Sequence, residues 1–142
     1  MGNAKRVALV TGSASGIGSA VAVRLANEGF DTIVNYSRSA DSASNTAERC
    51  NTAGSDTLLV QCDVSNEAGV VSMLDDIKKK YGRLDVVVNN AGTSISTLAK
   101  DFDKVSEEEF DRVFAVNVKG MFLVAKHSKA LLSEGIDPCI IN

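Results

Sequence analysis

The chain has 142 residues, with 15 Lys and Arg against 18 Asp and Glu, a net charge of −3, 44% apolar residues, one His, three Cys and no Trp. Those figures fit one globular unit spanning 1–142 with a single core and no second domain. The scattered, slightly negative charge offers no basic field to nucleic acid or an anionic membrane, and no apolar run nears the roughly 18 residues that cross a bilayer. Neither nucleic acid nor membrane is therefore expected as a partner. Cys50, Cys62 and Cys139 form no CxxC pair and His127 stands alone. That usage argues against a disulfide framework or a metal site and makes a reducing cytoplasm the expected compartment.

The first predicted element is a strand at 7–10 (VALV), leading into Thr11-Gly12-Ser13-Ala14-Ser15-Gly16-Ile17-Gly18 and then a helix with Val21 and Leu25 on one face. A tight strand-to-helix turn needs residues free to take positive φ, and a diphosphate approaches backbone only where no Cβ intrudes. The helix N-terminus then offers free N–H groups and a partial positive charge. Ser13 and Ser15 are expected to add hydroxyl donors, while Gly16, Ala20, Ala22 and Ala26 keep the helix slim against the sheet. The spacing differs from GxGxxG, and the absence of GK[ST] disfavours nucleoside triphosphate hydrolysis. In its strand–turn–helix setting the motif reads as a dinucleotide site.

A second strand at 32–34 (TIV) ends at Tyr36, followed by Ser37 and Arg38. A carboxylate there would accept from an adenosine ribose and repel a 2′-phosphate, and none is present. Arg38 would pair with that phosphate and Ser37 would donate to it, which favours NADP over NAD. The bland reading of Arg38 is a solvated residue at a helix start. A third strand at 57–60 (TLLV) precedes Asp63 and a helix capped by Ser65, with Val70, Leu74, Ile77 and Tyr81 on its apolar face, a wet run at 78–80 and Gly82 as left-handed C-cap. A fourth strand at 86–88 (VVV) runs into Asn89-Asn90-Ala91-Gly92.

Ser106 and Glu109 form a capping box ahead of a helical pattern that reaches about Leu132, interrupted by Gly120. Phe110, Val113, Phe114, Asn117, Met121 and Val124 recur at helical spacing, which places Asn117 in a buried stripe. A buried amide without partners costs about 1–3 kcal/mol, so hydrogen bonds are expected, and the structural reading is a bond fixing a bend near Gly120. His127 reads as a solvated residue near the helix C-terminus. A fifth strand begins at 138–142 (PCIIN). The short apolar runs are those of strands buried on both faces, and their alternation with helices predicts a parallel α/β sheet.

TGSASGIG at 11–18 resembles the TGxxxGxG motif of classical short-chain dehydrogenases/reductases. Asn89-Asn90-Ala91-Gly92, Asp63, and Asn117 within VNVKG match the family's further motifs in order, and the likeness runs from about Lys5 to Asn142. Members of the 3-oxoacyl-acyl-carrier-protein reductase type are similar. The resemblance implies a Rossmann-type doubly wound parallel sheet with helices on both faces, cut here within its fifth strand so that an apolar edge is left uncovered.

It also implies roles. Gly12, Ser13, Ser15, Gly16, Ile17 and Gly18 would surround the diphosphate, and Tyr36, Ser37 and Arg38 the adenosine ribose. Asp63 and Val64 would border the adenine, with Asp63 accepting from its amino group. Asn90, Ala91 and Gly92 would pass beneath the nicotinamide ribose, and Asn117 would belong to the catalytic set, helping to hold a water linked to the catalytic Lys.

Family chemistry is hydride transfer between nicotinamide and a carbonyl or alcohol carbon, assisted by a Tyr, a Lys four residues later and a Ser. Tyr36 is followed at that distance by Ala40 and Tyr81 by Asp85, so YxxxK is missing. The chain is therefore expected to supply the cofactor-binding half of an NADP-dependent oxidoreductase for a small carbonyl or alcohol, and to be inactive alone. The alternative is a non-catalytic NADP(H)-binding or interaction fragment. Family members assemble through helices equivalent to the one starting at Ser106, which makes a homo-oligomer the expected partner.

Overall fold

A computed structural model describes residues 5–95 and 99–142. In it β1 (Val7–Val10), α1 (Gly16–Asn27), β2 (Asp31–Tyr36), α2 (Ala40–Thr52), β3 (Leu58–Gln61), α3 (Glu67–Tyr81) and β4 (Val86–Val88) alternate along the chain. A short 3-10 turn (Ala99–Lys104), α4 (Glu107–Phe114), a π-helical segment (Ala115–Gly120), α5 (Met121–Ser133) and β5 (Cys139–Ile141) complete it. All pairings are parallel, in the order β3-β2-β1-β4-β5. This is the doubly wound Rossmann-type arrangement, in which the strand order reverses direction between β1 and β4.

Alternation along the strands builds two cores. Leu9, Ile33 and Val87 face α3 and α5, where Val70, Met73, Leu74, Ile77, Leu123, Val124 and Leu131 close over them. Val10 and Val34 face α1 and α2, which meet them with the small residues Ala22, Ala26, Ala43 and Ala47. β1 is buried throughout because it has a strand on each side and helices on both faces. The outer strand β3 departs from the two-sided burial expected of it. Its residues alternate between half-buried and exposed, since it stands at the sheet edge. β5 lies at the opposite edge with all three residues exposed.

At the bottom of the sheet a buried carboxylate ties three segments. Asp85 accepts from Val7 N at 2.7 Å, from Arg83 Nε at 3.1 Å, and from the backbone N–H of Ile136. It thereby fixes the starts of β1 and β4 and the approach to β5.

Three local expectations change. The cap of α3 is Asn66, which accepts from Gly69 N at 2.9 Å. Ser65 lies one residue ahead of that position, where its own N–H and hydroxyl both donate to Asp63 Oδ1. The pattern from Ser106 to Leu132 is not one α-helix but α4, a π-helical turn and α5. Ser106 does cap α4, accepting from Glu109 N, and Gly82 takes φ 72° as the left-handed end of α3. Gly120 sits where a Cβ would lie 2.7 Å from Val64 Cγ2. A glycine is needed there for the helix to pass against the β3–α3 connection, which is why its intrinsic helix cost is tolerated.

Candidate functional site

The carboxyl ends of β1, β2, β3 and β4 converge on a cleft of about 500 Å³. Gly12, Ser37, Arg38, Asp63, Asn90 and Gly92 are among the residues that line it. A crevice at the strand-order reversal is where open α/β sheets bind ligands.

The glycine-rich turn and the loop after β4 are built as one piece. Asn90 Nδ2 donates to Thr11 O and Gly12 O, each at 3.0 Å, and Ala91 N donates to Thr11 Oγ1 at 3.0 Å. A Cβ on Gly12 would lie 2.7 Å from Ala91 Cα, and one on Gly18 would lie 2.6 Å from Gly12 O. These two glycines permit close packing of backbone on backbone.

Gly16 is different. It has φ +57° with open space around its Cβ direction, so it does not slim α1 against the sheet as expected. Gly18, Ser19, Ala22 and Ala26 are the buried residues of that helix, and Ala20 is exposed. α1 also begins without a side-chain cap from Ser15 and without an acidic residue in its first turn. Its first N–H groups and positive end are left for an anion. Ile17 stands beside them 77% exposed.

Ser13 cannot be the hydroxyl donor expected of it. Its side chain is fully buried, donates to Val10 O at 2.8 Å and accepts from Asn35 N at 3.1 Å. Of the two serines, only Ser15 is exposed. Tyr36 is half-buried against the α1 and α2 core at the end of β2, and Ser37 and Arg38 follow it on the exposed side.

Asn35 was not singled out from the sequence. Its Oδ1 accepts from Gly12 N at 3.0 Å and its Nδ2 donates to Cys62 O at 3.1 Å, so one buried amide pins the ends of β1, β2 and β3. The sequence signal is an amide, a poor strand former, inside TIVNY.

Asp63 makes an Asx turn with Ser65, its Oδ1 2.7 Å from Ser65 Oγ and 2.9 Å from Ser65 N. Those hydrogen bonds, together with the positive charges of Arg38 and Lys119, hold its carboxyl below the usual carboxylate range against its partial burial. The Cys62 thiol beside it is pushed up to about 11 by burial and by the Asp63 charge.

Thr93 and Arg112 also line the cleft. Asn117 Nδ2 donates to Thr93 O and Asn117 Oδ1 accepts from Thr93 N, each at 2.8 Å. Arg112, also overlooked in the sequence, donates to Thr93 Oγ1 and, at 2.8 Å, to Ser94 O. Asn117 thus has the partners its polarity requires, but not in a buried stripe. No residue of α4 is buried, and Phe110 and Phe114 are exposed. His127 is likewise not simply solvated, since its Nε2 is 2.7 Å from Glu67 Oε1, which Lys126 Nζ also reaches at 2.9 Å.

The two tyrosines lie outside the cleft. Tyr81 ends α3 and donates to Asp56 O at 2.7 Å. Among the described residues no helix is long and apolar enough to cross a membrane.

A parallel sheet with its glycine turn and β4 loop fused at the order reversal defines a dinucleotide-binding class of fold, and the comparisons with known proteins place the chain within it. A model of the short chain dehydrogenase family matches residues 6–142, and the chain belongs to this short-chain dehydrogenase/reductase family. It is similar to elsinochrome reductase 1 of Elsinoe fawcettii, at 44% identity over 92% of this chain and 48% of that protein. It is also similar to versicolorin reductase of Emericella nidulans, at 40% identity over 92% of this chain and 48% of that protein. Among solved structures, a short chain dehydrogenase from Mycobacterium avium superimposes with a TM-score of 0.85 at 32% identity, over 97% of this chain and 53% of that one. The chain spans about half the length of the relatives it matches.

Proposed function

We propose that the chain is the cofactor-binding part of an NADP-dependent oxidoreductase. The observation that carries this is the open, positive-φ Gly16 at the uncapped start of α1, together with a cleft lined by Gly12 and Arg38, where β2 ends in Tyr36-Ser37-Arg38 with no carboxylate.

The residues fit the dinucleotide that family membership implies. The N–H groups at the start of α1, with Ser15, would hold the diphosphate, and Gly16 leaves room for it. Ser37 and Arg38 would hold a 2′-phosphate. Asp63 and Val64 would border the adenine, and Asn90, Ala91 and Gly92 would lie beneath the nicotinamide ribose. When bound, the cofactor exchanges a hydride with a carbonyl or alcohol carbon. The chain's own residues bind and orient it, and Asn117 holds the Thr93 wall that faces the reacting end.

The family's Ser and its Tyr–Lys pair are not supplied by these 142 residues, so the chain alone is expected to bind without turnover. A titration with NADPH, followed by a carbonyl panel including 3-oxoacyl thioesters and the compounds for which the matched reductases are named, tests both halves. Absence of NADPH binding, or carbonyl-dependent NADPH consumption, would each count against the reading.

A stripe on the outer face supports self-association. Phe110, Phe114, Val118 and Phe122 follow one another at four-residue intervals, all exposed, and the first two rings stack at 4.5 Å. This is the face on which a second copy of the chain would pack, through the helix that Ser106 starts.

A further inference from the structure

We propose that Arg112 is a positioning residue that sets the Thr93 end of the cleft and thereby governs how the nicotinamide half of the dinucleotide is held. The inference rests on the dinucleotide reading above and adds a residue to it.

Thr93 is gripped on three sides. The Asn117 amide takes its backbone N–H and carbonyl, and the Arg112 guanidinium takes its hydroxyl and the next carbonyl, that of Ser94. The segment 91–95 has no helix or strand of its own, so its path is set by such side-chain bonds. Arg112 and Asn117 reach it from α4 and from the π-helical segment, whose wider turn brings Asn117 round toward the side carrying Arg112.

The two residues do different work. Asn117 fixes where the backbone lies. Arg112 turns the Thr93 side chain toward itself and extends the hold to Ser94, so that the cleft between Gly92 and Val116 keeps its shape. A guanidinium spans two acceptors with a rigid planar fork, which a lysine ammonium does not reproduce. Arg112 lines the cleft beside Thr93 and holds the wall there, whereas Arg38, Asp63 and Val64 would build the adenosine end.

That separation supplies the test. The chain, Arg112→Met, Arg112→Lys and Thr93→Val are titrated with NADPH and with adenosine 2′,5′-bisphosphate, and amide exchange at Ser94 and Ile95 is followed without ligand. Loss of the hold on Thr93 and Ser94 predicts NADPH binding weakened about tenfold in Arg112→Met, with adenosine bisphosphate binding unchanged. Faster exchange at Ser94 is expected as well, with no rescue by Arg112→Lys and an intermediate effect of Thr93→Val. Equal loss for both ligands, or unchanged exchange, would overturn the proposal. If the unmodified chain binds neither ligand, the dinucleotide reading fails, and the exchange rates still decide whether Arg112 holds the segment.

Discussion

The side-chain amide of Asn117 pairs with Thr93 as a neighbouring strand would, Nδ2 on the carbonyl and Oδ1 on the N–H, both at 2.8 Å. The residue that sequence resemblance places in the catalytic set is therefore also a fastening for the loop after β4. Asn117→Ala leaves both backbone groups without this partner and is expected to lower stability by about 1–3 kcal/mol, measured by denaturant unfolding. Asn117→Asp keeps the acceptor for Thr93 N but turns the donor into a second acceptor facing Thr93 O. It should cost at least as much above pH 5, and a stability equal to that of the unmodified chain would refute the pairing.

The glycines of the turn separate into two kinds. Gly12→Ala and Gly18→Ala drive a Cβ into backbone, 2.7 Å from Ala91 Cα and 2.6 Å from Gly12 O respectively. Both are expected to unfold the chain or cost well over about 2 kcal/mol. Gly16→Ala meets open space and incurs only the left-handed backbone penalty of about 1–2 kcal/mol. It should fold, as circular dichroism would show, yet lose NADPH binding.

Acid should act on the chain through Asp85. Burial raises its pKa, but hydrogen bonds from Arg83, Ile136 and Val7, with the Arg83 charge, outweigh that and hold it below the usual value. A carboxyl with a lowered folded-state pKa binds protons more readily when unfolded. Its contribution is complete above the unfolded pKa of about 4 and is lost as pH falls through the folded value. Asp85→Asn should cost on the order of 3 kcal/mol at neutral pH and flatten the stability loss below about pH 4. A variant with the same acid slope as the unmodified chain would assign that slope elsewhere.

Self-association is expected through the outer stripe. Replacing Phe114, stacked 4.5 Å from Phe110, by Lys should shift the chain toward monomer in light-scattering chromatography while leaving its fold intact. An unchanged molar mass, or a monomer before substitution, would remove the stripe from consideration.

Much of this was legible from residue order because it depends on local chemistry. The strands of β1 and β4 are unbroken β-branched or apolar runs, Gly82 follows the last apolar position of α3, and Ser106 stands three residues before Glu109. What stayed hidden depends on which segments meet. Asp63 forms an Asx turn with Ser65, and α3 starts one residue later than expected, with Asn66 as its cap. Ser13 faces inward because Asn35 meets it from β2. The π-helical turn at Ala115–Gly120 has no period of its own in the sequence and arises where the helix crosses Val64. Asn35 and Arg112 look like an oddity in a strand and an ordinary helix cation until the loops they hold are in place.

The central claim is that the cleft at the strand-order reversal takes an NADP dinucleotide with Arg38 at its phosphate end. Calorimetric titration of the chain and of Arg38→Ala with NADPH and NADH tests it most directly. The account predicts that the chain binds NADPH more tightly than NADH, and that Arg38→Ala loses about tenfold for NADPH alone, the worth of one charge-assisted contact. Tighter binding of NADH, or binding of neither, would contradict it.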